Sequence, residues 1–290
     1  MDSLLDLLQK STRFLERKGV PGARLQSELI FAGTLHCRRL DLYLQFDRPL
    51  VAPQVDVLRE RIVRRSRREP VQYIVGDTDF RKITLRCDAR ALIPRPETEE
   101  LVGFVLEKLN AAKPAGAPAR VLDLGTGTGA IALSLAVERA GTRVLAVDFS
   151  EKALSLAQEN AAALAGTFAE GASVGFAQSD WFSAVPADTR FDAIVANPPY
   201  LTETEWATAQ PEVRDCEPRE ALVAADEGFA DLEKILRGAR ERLASDGGFV
   251  ALETGIAHRA RLEALARECG FAEFSGADDL SGRPRFFFAS

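Results

Sequence analysis

Histidine, methionine and cysteine are scarce in this sequence: two His, one Met and four Cys among 290 residues. Cys37, Cys87, Cys216 and Cys269 stand far apart, no pair has C-x-x-C spacing, and two histidines cannot complete a metal cluster. Dispersed thiols fit a reducing compartment, so a cytoplasmic protein without a metal is the expectation. No apolar run approaches the ~18 residues of a membrane span. Met1-Asp2-Ser3 opens the chain with neither a basic stretch nor an apolar core, so no secretion signal is expected. Internal repeats and long low-complexity tracts are missing too. A composition of 46% hydrophobic and 28% charged residues excludes a mostly disordered chain. The length suits one large domain or two smaller ones.

The net charge of −6 is unevenly spread. Residues 1–70 carry 14 Lys and Arg against 9 Asp and Glu, and the remainder carries 23 against 34. An acidic bulk counts against duplex DNA as the main partner, because phosphate neutralisation drives that binding. It leaves a protein or small-molecule substrate. No heptad pattern is present, so a monomer is expected.

Residues 2–70 show helical periodicity, with Leu4, Leu5, Leu8 and Leu15 in one stripe and Leu25, Leu29 and Ile30 in another. Arg59, Arg61, Arg64, Arg65, Arg67 and Arg68 form a basic stretch, read as a solvated helix face before a docking patch for an acidic partner. Val71, Tyr73 and Val75 alternate with other residues, as do Ile83, Leu85 and Cys87, which reads as a strand or hairpin linking two domains. Beyond Arg95, apolar runs alternate with helical patterns. Strands are expected at 120–124, 143–147, 173–177, 191–196, 248–252 and 286–288, and helices at 130–138, 151–163, 232–243 and 260–269. Ala111 to Ala119 reads as a loop. The alternation predicts an α/β fold with a doubly wound, mostly parallel sheet, preceded by a small helical domain and a β-hairpin linker. The expected divisions are 1–74, 75–92 and 93–290.

Asp123-Leu-Gly-Thr-Gly-Thr-Gly-Ala130 sits at a strand-to-helix turn. Its glycines allow close approach of a ligand to the backbone, and the following helix offers free N–H groups. The order G-x-G-x-x-A fits dinucleotides as well as S-adenosylmethionine. Asp148, at the end of the next strand, is placed to accept hydrogen bonds from a ribose, which both cofactors carry. Asp123 tilts the choice: a carboxylate there opposes a pyrophosphate but suits the cationic amino-acid end of S-adenosylmethionine. Asp180-Trp181-Phe182 follows another strand, where an Asp can accept from an adenine amino group and an aromatic can cover the ring.

Asn197-Pro198-Pro199-Tyr200 bears on the reaction. It follows an apolar strand, where open α/β sheets bind ligands. Two prolines fix φ and supply no N–H, so the turn presents acceptors: the Asn197 side-chain oxygen and the Pro198 carbonyl. Two acceptors match the two hydrogens of a planar NH2 group, and Tyr200 can lie against its face. An amide or aromatic amine nitrogen is a poor nucleophile, so aligning its lone pair with a sulfonium methyl is the chemistry such a turn can provide.

With these residues in view, the sequence resembles the PrmC/HemK family of protein-(glutamine-N5) methyltransferases over nearly its whole length. Arg68 to Gly76, Leu92-Ile-Pro-Arg-Pro-Glu-Thr-Glu99, Val121 to Ala132, Ser179 to Phe182, Asn197 to Tyr200 and Cys216 to Leu222 carry the resemblance. Leu92 to Glu99 is its most specific part, and Leu201, where isoleucine or valine is common, is a mild departure. The resemblance implies a class I, Rossmann-like methyltransferase domain and an N-terminal domain that docks the substrate. It implies a methyl acceptor: the glutamine of the Gly-Gly-Gln loop in bacterial peptide chain release factors. Gly125, Thr126, Gly127, Thr128, Gly129, Asp148, Trp181 and Asn197, with Asp123 and Asp180, would hold S-adenosylmethionine. Asn197, Pro198, Pro199 and Tyr200 would hold the amide, and Arg95 to Thr98 would lie near the methionine end. A glutamine methyltransferase of a ribosomal protein is the near alternative. DNA adenine methylation lacks a target-recognition domain. An NAD-dependent oxidoreductase leaves Asn197 to Tyr200 unexplained, and a non-catalytic nucleotide-binding protein leaves both candidate pockets without a use. His36 and His258 read as packing or incidental residues.

Overall fold

A computed structural model describes residues 3–114 and 116–290. Met1 and Asp2, which entered the reading of the N-terminus, and Ala115, inside the expected 111–119 loop, lie outside the described residues. The chain divides into two units. One holds the chain up to Asp77 together with Gln210–Cys216, and the other holds Thr78–Ala209 and Glu217–Ser290.

The first unit is helical: α1 (Leu4–Arg17), α2 (Ala23–Leu35), α3 (Arg39–Tyr43), α4 (Ala52–Ser66) and α5 (Val71–Val75). A capping box starts α1, with the Asp6 N–H donating to Ser3 Oγ and the Ser3 N–H donating to the Asp6 carboxylate. Leu4, Leu8 and Leu15 then face a core shared with Ile30, Phe31, Leu42 and Leu58. The alternation at 71–75 forms a helical turn, not a strand. Pro70 and Gly76, whose φ is +96°, bound a segment of five residues, too short for periodicity to decide its type.

The basic stretch divides by face. Arg59 is exposed, but Arg65 is only 4% exposed. Its Nη2 donates to Glu212 Oε1 at 2.6 Å and its Nε to Gln26 Oε1 at 2.9 Å. Arg68 forks onto the same carboxylate from Nε and Nη2 at 2.7 and 2.6 Å. Two guanidiniums on one carboxylate anchor the remote 210–216 segment within this unit, which a solvated-face reading did not anticipate.

A hairpin of β1 (Asp77–Phe80) and β2 (Ile83–Arg86), all of it but Asp77 in the second unit, is followed by α6 (Pro96–Ala112). A seven-stranded sheet follows, made of β3 (Ala119–Leu124), β4 (Thr142–Asp148), β5 (Ser173–Gln178), β6 (Ala193–Ala196), β7 (Phe249–Glu253), β8 (Phe274–Asp278) and β9 (Pro284–Ala289). The strand order is β5-β4-β3-β6-β7-β9-β8. The β7–β9 and β8–β9 pairs are antiparallel and the other pairs parallel. Parallel strands are covered on both faces and read as continuous apolar runs, as β6 does with all four residues buried. α6, α7 (Ala130–Glu138) and α8 (Glu151–Leu164) pack with Val121, Val144 and Val195 on one face. α9 (Ala230–Ala239) and α10 (Arg259–Glu268) pack with Leu122, Leu124 and Ile194 on the other. No described helix is long and apolar enough to cross a membrane.

The sheet is wound outward in two directions from β3, with β4 on one side and β6 on the other. Leu124 pairs with Ala196. The next residues, Gly125 and Asn197, therefore leave the sheet side by side, at the switch point where such sheets bind ligands. Asn160 on α8, 1% exposed, joins the hairpin to the same end: its Nδ2 donates to the Thr128 carbonyl and its Oδ1 accepts from the Arg86 N–H.

Glu212→Ala strands the buried Arg65 charge and is expected to lower unfolding free energy by about 3 kcal/mol. Urea denaturation checks this. Arg65→Met combined with Glu212→Leu should recover much of the loss, and a Glu212→Ala protein as stable as the parent would contradict the anchor.

Candidate functional site

The glycine loop is held down from two sides. The Gly125 and Thr126 N–H groups both donate to the Val147 carbonyl at 2.9 Å, tying the loop to β4. Beneath it, Asp123 Oδ2 accepts from Thr126 Oγ1 at 2.6 Å and from the Ala132 N–H at 3.2 Å. Gly129 adopts φ +85°, a left-handed conformation that side-chain-bearing residues rarely enter, and a Cβ there would press on Leu133 Cδ1 at 2.9 Å.

A cavity of about 320 Å³ opens at the switch point, a size typical of small-molecule sites. Gly125, Gly127, Asp148, Asp180, Trp181, Asn197, Pro198 and Pro199 line it, which brings together residues from four separate segments. Asp123, Thr126, Thr128, Gly129 and Tyr200 are not among its walls. Asp123 is fully buried under the loop, so its carboxylate acts on the backbone and not directly on whatever occupies the cavity. Asp148 Oδ2 accepts from the Gly127 N–H and Oδ1 from the Ser150 N–H, both at 2.9 Å. Each oxygen keeps a lone pair free to accept a hydroxyl from the cavity. Burial pushes the Asp148 carboxyl above its ordinary range, opposed by those two donors.

Two aromatics flank the cavity. The Trp181 ring lies over Gly125, and its Nε1 donates to Asp231 Oδ1 at 3.2 Å. Phe149, 72% exposed, also lines the cavity and was not singled out from the sequence, although its place directly after Asp148 marks it.

The Asn197 turn is braced by residues the motif itself does not contain. Asn197 Nδ2 donates to Thr98 Oγ1 at 3.0 Å, and Thr98 Oγ1 donates to Glu253 Oε2 at 2.7 Å. Tyr200 Oη donates to Glu253 Oε1 at 3.0 Å. Glu253 ends β7 and is 1% exposed, and burial raises its pKa. Burial, with the nearby Glu253 charge, also raises the Tyr200 phenol, so it stays a donor. Thr98 lies in the first turn of α6, where Arg95 Nη2 donates to Glu217 Oε1 at 2.5 Å and the Ile93 N–H to Glu217 Oε2 at 3.1 Å. Arg95 and Thr98 are absent from the cavity wall; Thr98 reaches the site through Asn197. A carboxylate closing an apolar strand, as Asp148 does, was the sequence signal for Glu253.

Behind the turn, Asp226, Glu227 and Gly228 all adopt left-handed φ of 56°, 54° and 81°. A Cβ at Gly228 would sit 2.1 Å from the Tyr200 carbonyl oxygen. Non-glycine residues in this conformation cost roughly 1–2 kcal/mol each, and Arg261 on the Asp226 carboxylate and His258 on the Glu227 carbonyl help to hold the segment there. His258 Nε2 lies 3.1 Å from the Glu227 carbonyl and packs edge-on to Phe229, a packing role as read from the sequence.

Comparison with known proteins adds family and fold. Residues 6–76 match the PrmC N-terminal domain, and residues 103–213 match the methyltransferase small domain. The release factor glutamine methyltransferase of Rhodopirellula baltica is 34% identical, covering 98% of this chain and 94% of the relative. That of Leptospira interrogans is 35% identical over 98% and 97%. That of Shewanella oneidensis is 40% identical over 91% and 87%. Among solved structures, the catalytic domain of hMettl16 in complex with an RNA hairpin has a TM-score of 0.55 at 14% identity, covering 82% of this chain and 80% of that one. At this identity the likeness is one of fold.

Asp123 yields a pH prediction. Burial raises its pKa to about 7 in the folded chain, opposed by Thr126 and Ala132. A raised acid stabilises the fold at low pH and loses that contribution as pH climbs through the folded value. From pH 5 to pH 8 the ligand-free protein should lose about 2–3 kcal/mol that Asp123→Asn does not lose. Urea melts of both proteins at both pH values check this, and equal pH slopes would contradict it.

Proposed function

The chain belongs to the release factor glutamine methyltransferase family, and we propose that it transfers a methyl group from S-adenosylmethionine to N5 of the glutamine in the Gly-Gly-Gln motif of bacterial peptide chain release factors. What carries this reading is the single cavity that joins the Gly125–Gly127 backbone and Asp148 to Asn197, Pro198 and Pro199. The chain spans nearly the full length of its relatives, so both the N-terminal unit and the sheet domain are part of the likeness.

The residues fit the methyl donor. Gly125 and Gly127 bring bare backbone to the cavity, Asp148 offers carboxylate acceptors for a ribose, and Asp180, Trp181 and Phe149 suit an adenine ring. Thr126, Thr128, Gly129 and Asp123 serve by shaping the loop. When bound, S-adenosylmethionine supplies an electrophilic sulfonium methyl.

Asn197 Oδ1 and the Pro198 carbonyl accept the two hydrogens of the glutamine amide. This directs the nitrogen lone pair out of the plane of conjugation and toward the donor. Pro198 and Pro199 keep the acceptors rigid, and Tyr200, which the cavity wall does not include, serves the turn from behind through its bond to Glu253. Positioning of this kind can lower a barrier by about 7–11 kcal/mol at best. The nitrogen gains one carbon and loses one proton to water, so no strong general base is required of the chain. The N-terminal unit helps to dock the release factor. The protein acts as a cytoplasmic monomer without direct DNA contact.

Methyl transfer from labelled S-adenosylmethionine, offered in parallel to unmethylated release factor, ribosomal fraction and DNA, tests the reading. One added methyl on the Gly-Gly-Gln glutamine, located by peptide mass spectrometry, is expected. Label confined to ribosomal protein or DNA would overturn the substrate. Asn197→Ala should lower kcat about a hundredfold or more while retaining donor binding. Full turnover in that variant would sink the acceptor geometry. Asp148→Ala should weaken donor affinity about 10- to 100-fold by calorimetry, and an unchanged Kd would remove its ribose role.

A further inference from the structure

We infer that Thr98 and Glu253 are positioning residues that fix which end of the Asn197 amide faces the cavity, and so select a hydrogen-donating NH2 group as the methyl acceptor. The inference rests on the methyl-transfer reading above. It starts from donor counting. A threonine hydroxyl has one proton to give. Thr98 gives it to Glu253 Oε2 at 2.7 Å, inside the protein, where a carboxylate is the stronger acceptor. What Thr98 then shows Asn197 is a lone pair, so Asn197 must present Nδ2, as the 3.0 Å contact has it. The amide is planar with its two heteroatoms on opposite sides. Anchoring Nδ2 leaves Oδ1 on the other side, and Asn197 is a wall of the cavity. A flipped Asn197 would oppose two acceptors across 3.0 Å and offer N–H donors to the substrate, which repels an NH2 group and attracts a carbonyl.

The same carboxylate sets the second half of the site. Glu253 Oε1 accepts from Tyr200 Oη at 3.0 Å, so one buried group fixes both ends of the Asn197–Tyr200 turn. Thr98 enters from α6 and Glu253 from β7, neither within the turn. The turn alone, without this brace, leaves its amide free to rotate. Arg285, whose guanidinium lies 5.6 Å from the Tyr200 ring centre, faces the same cluster, and its charge, with the Thr98 and Tyr200 hydrogen bonds, works against the burial that raises the Glu253 carboxyl.

Thr98→Val keeps the shape and removes the hydroxyl, and Thr98→Ser restores it. With release factor as acceptor, Thr98→Val should lower kcat about tenfold or more, while KM for the factor and Kd for S-adenosylmethionine stay within about twofold. Thr98→Ser should return to within about threefold of the parent. A readout independent of turnover accompanies these. In protein labelled with 15N-asparagine, the Asn197 side-chain NH2 signal, identified by its loss in Asn197→Ala, should shift and exchange faster in Thr98→Val and in Glu253→Gln, but not in Thr98→Ser. An unmoved signal in Thr98→Val overturns the inference, and so does a Thr98→Ser protein as impaired as Thr98→Val. A parent protein that leaves release factor unlabelled while the Asn197 signal responds as expected overturns the substrate reading and supports the brace.

Discussion

Everything at the site depends on the parallel pairing of β3 with β6. Leu124 lies opposite Ala196, so the two loops that matter leave adjacent strands at the same height. A slip of one residue between them would turn one loop's side chains away from the other's, because strand side chains alternate faces. The apolar cores on the two sheet faces hold that register. The chemistry of the site thus rests on burial far from it, in residues such as Val121 and Val195 on one side and Leu122 and Ile194 on the other.

Around this crossing the protein keeps several polar groups out of water, each making specific hydrogen bonds, with Asp123 Oδ1 alone of their atoms left without a partner among the described residues. Asp123 shapes the glycine loop from below, Asn160 clamps the loop to the hairpin, and Glu253 braces the Asn197 turn. Buried groups of this kind are costly unless satisfied, and once satisfied they specify one geometry. The left-handed run Asp226–Gly228 belongs to the same logic. A locally unfavourable backbone is held against the Tyr200 carbonyl, where only glycine leaves room. Rigidity is what a reaction limited by alignment requires.

The sheet domain was largely legible in the sequence because parallel strands announce themselves as apolar runs, and β3, β4 and β6 fall where those runs lie. The Gly125–Gly129 loop, Asp148 and the Asn197 turn were legible because glycine and proline constrain backbone in ways that few other residues imitate. What escaped reading was long-range or half-exposed. β8 is an edge strand containing Ser275 and Gly276. α6 has its stripe of Leu101, Val105 and Leu109 behind a segment noticed for another reason. The 71–75 turn is too short for period 2 and period 3.6 to part. Glu212 joins Arg65 and Arg68 across more than 140 positions, and Thr98 joins Glu253 across 155. Pairings at such separations leave no local pattern.

The central claim is that two fixed acceptors, Asn197 Oδ1 and the Pro198 carbonyl, hold an amide nitrogen beside the cradle formed by Gly125, Gly127 and Asp148. A crystal structure with S-adenosylhomocysteine and a Gly-Gly-Gln peptide tests it most directly. The account predicts the glutamine amide nitrogen within hydrogen-bond distance of both oxygens, with the face of the amide turned to the homocysteine sulfur. A glutamine seated elsewhere, or one whose carbonyl meets Asn197 Nδ2, would contradict it.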